Sequence, residues 1–208
     1  MLRTVKLPVG ELGSNCFLAW DEATREGVVI DPGAEGDRII EAIRKRELTI
    51  KYILNTHGHG DHIGANADIK NEFDVPILIH EADAPMLTDP ALNMSMAFGP
   101  AVISPPADGF LVPGDKVKYG SVELEVILTN GHSPGGISLY DGEGIVFTGD
   151  ALFPGSIGRC DLPGGDLGTL LQAIRKGLLV LPDETQVLPG HGPNTTIGQE
   201  RKWNPYLP

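Results

Sequence analysis

Thr56-His57-Gly58-His59-Gly60-Asp61-His62 sets three imidazoles and a carboxylate within six residues, directly after the strand-like run Tyr52–Asn55. The chain has only six histidines in 208 residues, so this density asks for a chemical reason. Metal ligation supplies one. Imidazole and carboxylate suit Zn, Fe and Mn, and no thiolate joins the cluster as it would in a purely structural zinc knot. In extended backbone His57 and His59 project from the same side and can meet one ion. Asp61 and His62 fall at the start of a helix expected over about Asp61–Phe73, where they can face a second ion close by. Gly58 and Gly60 read as the residues that let the backbone bend tightly enough for the two pairs to converge. Asp61 also fits a helix N-cap, a role compatible with ligation.

Further along the chain, His132 in Asn130-Gly131-His132-Ser133, Asp150 in Thr148-Gly149-Asp150 and His191 in Pro189-Gly190-His191-Gly192 each sit just past an expected strand end, in a glycine-containing turn. A site built along one edge of a pair of sheets requires that placement. Five of the six histidines are thereby assigned, and His80, with no ligand pattern beside it, reads as structural or surface.

The elements around these motifs are short. Strands are expected at Leu2–Leu7, Cys16–Trp20, Val28–Ile30, Tyr52–Asn55 and Ile77–His80, with a helix from Asp37 whose Ile39, Ile40 and Ile43 share a face. Arg44-Lys45-Arg46 closes that helix, where cations suit the dipole. A second series, Lys116–Tyr119, Val122–Leu128, Ile137–Tyr140 and Ile145–Thr148, precedes a helix near Gly168–Leu179 and a strand at Gln186–Leu188. Strands followed by helix, twice, suggest two sheets with helices outside rather than alternating βαβ winding. Residues 85–114 carry Pro85, Pro90, Pro100, Pro105, Pro106 and Pro113 and little periodicity, which reads as a long surface excursion bordering a site. No linker divides the chain, so residues 1–208 are expected to form one domain.

Composition narrows the function classes. Apolar residues are 41% and charged residues 21%, a globular balance. The net charge of −12 argues against nonspecific nucleic-acid binding. No apolar run approaches the ~20 residues of a membrane span, and Met1–Pro8 has no apolar signal core, so a cytoplasmic protein without a membrane partner is the expectation. Cys16 and Cys160 are the only thiols, and they read as a buried strand residue and an incidental loop residue. Two rival motifs fail on physics. Gly131-His132-Ser133-Pro134-Gly135 matches the nucleophile elbow G-x-S-x-G, but the elbow uses the backbone N–H after the serine, and Pro134 has none. Gly58-His59-Gly60-Asp61-His62-Ile63-Gly64 imitates a dinucleotide fingerprint, with its third glycine one residue too late.

Thr56-His57-Gly58-His59-Gly60-Asp61-His62, followed in order by His132, Thr148-Gly149-Asp150 and Pro189-Gly190-His191-Gly192-Pro193, resembles the metallo-β-lactamase superfamily, and within it the glyoxalase II-like (hydroxyacylglutathione hydrolase-like) enzymes. The resemblance runs from Ile30-Asp31-Pro32-Gly33 to the tail Gly198–Pro205. It implies an α/β (α+β) fold, a four-layer αββα sandwich with the metal site at one edge of the two sheets. It also implies that His57, His59 and His132 hold one ion, that Asp61, His62 and His191 hold another, and that Asp150 bridges them. The cofactors expected are two divalent ions per chain, zinc first, with iron or manganese as alternatives. Such a pair can lower the pKa of a water between them until hydroxide is available at neutral pH, with Asp61 and Asp150 orienting it, and can take the charge of a tetrahedral intermediate.

The reaction implied is hydrolysis of a small anionic thioester of the S-lactoylglutathione type. Two departures bear on the substrate. Long family members carry an additional C-terminal helical region with basic residues for glutathione, whereas this chain reaches Pro208 soon after His191. The family's second histidine after the His132 turn is Gly136 here. Arg159, in Gly158-Arg159-Cys160-Asp161, is the candidate contact for a substrate carboxylate, with a salt bridge to Asp161 as the competing role. The alternatives are a mono-iron persulfide dioxygenase-like oxidation, since those proteins share the Gly-Arg-x-Asp segment, hydrolysis of another ester or lactone, and a non-catalytic metal-binding module.

Overall fold

The computed structural model describes residues 1–207, apart from the side chain of Phe98. In chain order the elements are β1 (Leu2–Val9), β2 (Ser14–Asp21), β3 (Glu26–Ile30), α1 (Gly36–Lys45), β4 (Thr49–Leu54), α2 (Gly60–Ile63), α3 (Asn66–Phe73), β5 (Ile77–Ile79), α4 (Ala84–Thr88), α5 (Ser95–Phe98), β6 (Gly109–Phe110), β7 (Lys116–Tyr119), β8 (Val122–Leu128), β9 (Ile137–Tyr140), β10 (Ile145–Gly149), β11 (Leu152–Phe153), β12 (Ser156–Ile157), α6 (Leu167–Ala173), β13 (Gln186–Pro189), β14 (Thr195–Thr196) and α7 (Ile197–Trp203). One six-stranded sheet runs β1-β2-β3-β4-β5-β6 and the other β14-β13-β10-β9-β8-β7. No helix among the described residues is long and apolar enough to cross a membrane.

Alternation along the strands builds the layers. In β2, Phe17 and Ala19 face a core between the sheets, whereas Cys16 and Leu18 join a core beneath α1 and α3. β3 repeats the pattern, with Val28 and Ile30 inward and Val29 outward. In β10, Phe147 points inward and meets Phe17 edge to face, ring centroids 5.3 Å apart, while Val146 points outward to a third core with Leu170 and Ile174 of the α6 region and Ile197 of α7. Apolar side chains on both faces of each sheet, at a period of two, require a cover on each side, and the result is the four-layer αββα sandwich.

The winding differs from the expectation in one respect. β3, β4, β5 and β6 pair in parallel, with α1, then α2 and α3, then α4 and α5 in the crossovers, so four of the six strands of the first sheet are parallel. The antiparallel hairpins β1–β2 and β7–β8–β9 made the strand-then-helix reading dominate. The helix expected over 61–73 is two helices. Between them Gly64 lies so close to the carbonyl of Gly33 that no side chain fits, and the amide of Ala65 donates to the Pro32 carbonyl at 2.8 Å instead of continuing the helical ladder. Asp61 is not the N-cap either. His59 occupies that position, and Asp61 lies in the first turn. Past Ala173 the α6 helix widens into one π-helical turn, Ile174–Leu178. The 85–114 excursion is partly structured, holding α4, α5 and β6.

Candidate metal centre

Chain direction places the site. Parallel strands β3 and β4 end at Asp31 and just before His57, on the same end of the sheet. In the facing sheet β8, β10 and β13 run out into the turns that carry His132, Asp150 and His191. Ligands collect at the carboxyl ends of parallel strands, where the crossovers leave the strand tips open. Three hydrogen bonds from Asn15 help stitch the sheets together at this edge: its amide donates to the Gly190 carbonyl at 2.6 Å, and its side chain donates to the carbonyls of Pro189 at 2.8 Å and Gly192 at 3.0 Å.

All seven residues expected as ligands meet here. His57, His59 and His132 form one buried group, and Asp61, His62 and His191 form a second in which only His62 is buried, the candidate donor atoms within each lying within 4.8 Å of one another. In the first, Nδ1 of His59 and Nε2 of His132 are 3.0 Å apart. In the second, Nε2 of His62 and Nε2 of His191 are 3.3 Å apart, and Oδ2 of Asp61 is 3.2 Å from His191 Nε2. Two donors each ~2.0–2.1 Å from one tetrahedral ion would be about 3.3 Å apart, so these spacings fit metal coordination. Asp150 lies between the groups. Its Oδ1 is 3.5 Å from His62 Nε2, and its Oδ2 is 3.6 Å from both His132 Nε2 and His191 Nε2. His57 Nε2 and Asp150 Oδ1 are buried without a hydrogen-bond partner among the described residues. Buried polar atoms without partners are costly, and a cation on these two would satisfy both.

Five of the seven candidate ligands are oriented by a neighbour. Asp31 accepts from the Thr56 amide at 2.7 Å and the Thr56 hydroxyl at 2.6 Å, and its Oδ2 is 3.1 Å from His62 Nδ1. Thr56 Oγ1 in turn lies 3.1 Å from His57 Nδ1. Nδ1 of His132 faces the main-chain carbonyl of Arg159 at 2.8 Å, Nδ1 of His191 faces that of Leu12 at 3.2 Å, and Ser14 donates to Asp61 Oδ2 at 2.8 Å. These contacts leave the opposite ring nitrogens of His132 and His191 aimed at the centre, which is how second partners fix a ligating histidine.

Charge follows the same division. Burial, helped by the neighbouring imidazoles, drives His57 well below the ordinary histidine range, and burial with His132 beside it lowers His59 to about 4. Both are therefore neutral and ready to ligate. Burial also opposes a charge on His62, but Asp61, Asp150 and Asp31 outweigh it and raise the group to about 10. The carboxyl of Asp61 is pushed up by burial, yet His62, His191 and Ser14 hold it well below the usual carboxylate range. Three carboxylates around one imidazole create a potential that favours a cation.

The glycines of the motif act differently from the expectation. Neither Gly58 nor Gly60 has a positive φ. Gly58 is close-packed instead: a Cβ there would stand 2.6 Å from Cβ of Met86. Gly190 has the same character, since a Cβ would strike Asp150 Oδ1 and come within 2.8 Å of His62. Asp31 and Asp83 are the residues that sequence reading left out of the site. The Asp31-Pro32-Gly33 turn was visible, but nothing in it announces a partner 25 positions away.

The remaining expectations sort cleanly. His80 accepts from the Ala82 amide at 3.2 Å at the start of a 3-10 turn, a structural role. Ser133 is fully buried and donates to Asp83, so it faces no substrate. Cys16 is buried and its thiol is pushed up by burial, which makes it inert. Arg159 makes two hydrogen bonds to Asp161, at 2.8 and 2.9 Å, while its residue lines the cleft over the centre. That cleft, about 550 Å³, has Leu12 and Ala34 on one side, Met94, Pro100 and Val102 of the 85–114 excursion on another, and His59, Asp61, His132, Asp150 and His191 at its floor.

Comparison with known proteins agrees with this geometry. The family model described as "Metallo-beta-lactamase superfamily" matches residues 9–191. The chain is 39% identical over 208 residues to the hydroxyacylglutathione hydrolase GloC of Haemophilus influenzae, covering 97% of this chain and 96% of that one. Among solved structures, it is similar to the BLEG-1 B3 metallo-beta-lactamase, with TM-score 0.94, 39% identity and 99% of each chain covered. It is also similar to TTHA1623 in a di-iron-bound form, with TM-score 0.87, 40% identity, and 98% of this chain and 100% of that one covered.

Proposed function

The chain belongs to the metallo-β-lactamase superfamily, and on that footing we propose that it is a two-metal hydrolase of small anionic thioesters of the S-lactoylglutathione type. The observation that carries the reading is the meeting of two ligand groups at Asp150, on the floor of an open cleft. His57, His59 and His132 would hold one ion, Asp61, His62 and His191 the other, and Asp150 would reach both. Zinc is the ion proposed, and the di-iron form of a similar structure supports iron as the alternative. Divalent cations held there supply Lewis acidity, lowering the pKa of water toward neutrality and polarising a carbonyl oxygen.

The chain's own residues do the rest. Asp61 stays ionised at neutral pH, and its carboxylate, fixed by Ser14, can accept a hydrogen bond from water and so orient it toward the cleft. Asp150 takes the same part from the other side. The apolar walls exclude bulk water from one flank of the substrate, which strengthens every charge interaction at the floor. Arg159 is proposed as the contact for a substrate carboxylate, which would exchange with Asp161 for the guanidinium. The likeness to GloC supports a hydroxyacyl thioester.

A one-ion oxidation of a persulfide would use only one of the two groups and leave Asp61, His62 and His191 without a task, which weighs against it. The test is a metal count on the purified protein followed by turnover of S-lactoylglutathione, a neutral thioester, a lactone, a β-lactam and a persulfide with oxygen uptake recorded. Two ions per chain and fastest turnover of the anionic thioester are expected. The double variant His57→Ala with His59→Ala is expected to lose at least one ion and to lower turnover by several orders of magnitude. Unchanged turnover in that variant, or oxygen consumption in place of hydrolysis, would overturn the reading.

A further inference from the structure

Asp83 is fully buried at the end of the 3-10 turn Glu81–Asp83, and its carboxylate bonds to loop residues beside the candidate ligands instead of to the ligands themselves. Its Oδ2 accepts from the amide of Gly58 at 3.0 Å and the hydroxyl of Ser133 at 2.7 Å, and its Oδ1 accepts from the amide of Gly135 at 2.5 Å. Gly58 stands between His57 and His59, and Ser133 follows His132, so one carboxylate grips both loops that supply the first ligand group. The loops themselves are far apart in sequence, with His59 and His132 separated by 73 residues.

The surrounding glycines are shaped around this grip. A Cβ at Gly58 would lie 3.0 Å from the Asp83 carbonyl, and a Cβ at Gly135 would lie 2.8 Å from the Asp83 amide and 2.9 Å from Oδ1. A side chain at Gly135 would press on the carboxylate itself, and one at Gly58 would press on Met86 and the Asp83 backbone. Among the described residues, the donors on the carboxylate are two amides and a hydroxyl, with no basic side chain among them. Burial raises the carboxyl, and those three hydrogen bonds together with the nearby His80 counter it. The second ligand group takes its support elsewhere: His62 from Asp31, Asp61 from Ser14, and His191 from the Leu12 carbonyl.

From this division we propose that Asp83 is a positioning residue for the His57–His59–His132 group alone, a staple that presets the spacing of its two loops. The inference rests on the two-metal reading above, and the experiment separates the two. The readout is zinc affinity, measured by competition with a chromophoric chelator, together with the melting temperature of the metal-free protein. Asp83→Asn keeps the size but turns one acceptor into a donor, so at least one of the three hydrogen bonds is lost. Loss of an outer partner of a ligand typically weakens metal binding by roughly 10–100-fold.

We expect wild-type protein to bind two zinc ions, and D83N to show one ion weakened by about that factor with the other within about twofold. Ser133→Ala removes a single hydrogen bond without adding a donor, and it should weaken the same ion by about 3–10-fold. A merely structural role would instead weaken both ions alike and lower the metal-free melting temperature. Equal weakening of both ions, or unaltered affinity in both variants, overturns the staple while leaving the two-metal reading intact. Failure of the wild-type chain to bind two ions overturns both. Should D83N not fold, S133A decides, and a uniform or null effect there counts against the staple.

Discussion

At the scale of single residues, Asp31 and Asp83 are contrasting supports. Asp31 sits in a left-handed backbone conformation, φ 51°, which short polar residues tolerate better than most. From there it reaches both ligand groups: one oxygen pair holds Thr56, which lies against His57, and Oδ2 faces His62 directly. Asp31→Asn preserves the size and suits the backbone conformation, so it isolates the charge and one acceptor. It is expected to weaken both zinc ions by roughly 10–100-fold each, measured in the same chelator competition. Weakening confined to one ion would show that Asp31 does not span the groups. The seven candidate ligands stood out in the sequence because scarce residue types recur in glycine turns at strand ends, and the fold brings them together. The supports did not stand out, because a single aspartate in a turn is common and its partners, 25 to 52 positions away, are brought near only by the fold.

Among elements, what could be read depended on periodicity. β7 alternates apolar and polar residues over its whole length and β8 does so as far as Val126, which makes both legible as strands. α1 was visible in Ile39 and Ile43, both fully buried. The two-residue strands β6, β11, β12 and β14 are too short to carry a period, and the break between α2 and α3 follows from a backbone contact with Gly33 that no local pattern encodes.

One element-level joint links the two sheets at the end of β2 opposite the site. There, Asp21 accepts from the Ser121 amide in the β7–β8 turn at 2.8 Å and from Ala23 and Thr24 at 3.2 Å each, with the N-terminal ammonium 3.4 Å away. The backbone hydrogen bond from Ser121 leads the contacts that outweigh burial and hold the Asp21 carboxyl below the usual carboxylate range. A carboxyl lowered by folding contributes stability that is fully present above its unfolded pKa and is lost as pH falls through the folded one. Metal-free Asp21→Asn should therefore melt below metal-free wild type at pH 7, with the gap closing as the pH drops below about 4. A gap that stays constant from pH 7 to about pH 2 would remove Asp21 from that account.

For the whole molecule, the two ligand groups have the same architecture. His57 and His59 follow β4 of the first sheet, and His132 follows β8 of the second; Asp61 and His62 follow β4, and His191 follows β13. Each ion would thus be a cross-link between the halves of the sandwich, placed at the edge where the apolar core between the sheets gives way to polar loops. Metal that binds the folded chain and not the unfolded one adds stability of about 2.7 kcal/mol per site at a hundredfold excess over its Kd, and about 4.1 kcal/mol at a thousandfold excess. Removing metal with a chelator should lower the melting temperature by several degrees, and restoring zinc should reverse it. The position of the loosening is the sharper test. The inter-sheet core around Phe17, Phe147 and Leu139 does not depend on the ligands, so its amides should keep their hydrogen-exchange protection. The turns that hold His57–His62, His132 and His191 should lose theirs together, because each group is closed only when both sheets contribute. Loss confined to one sheet's loops would mean that the ions decorate one half of the fold instead of joining the two.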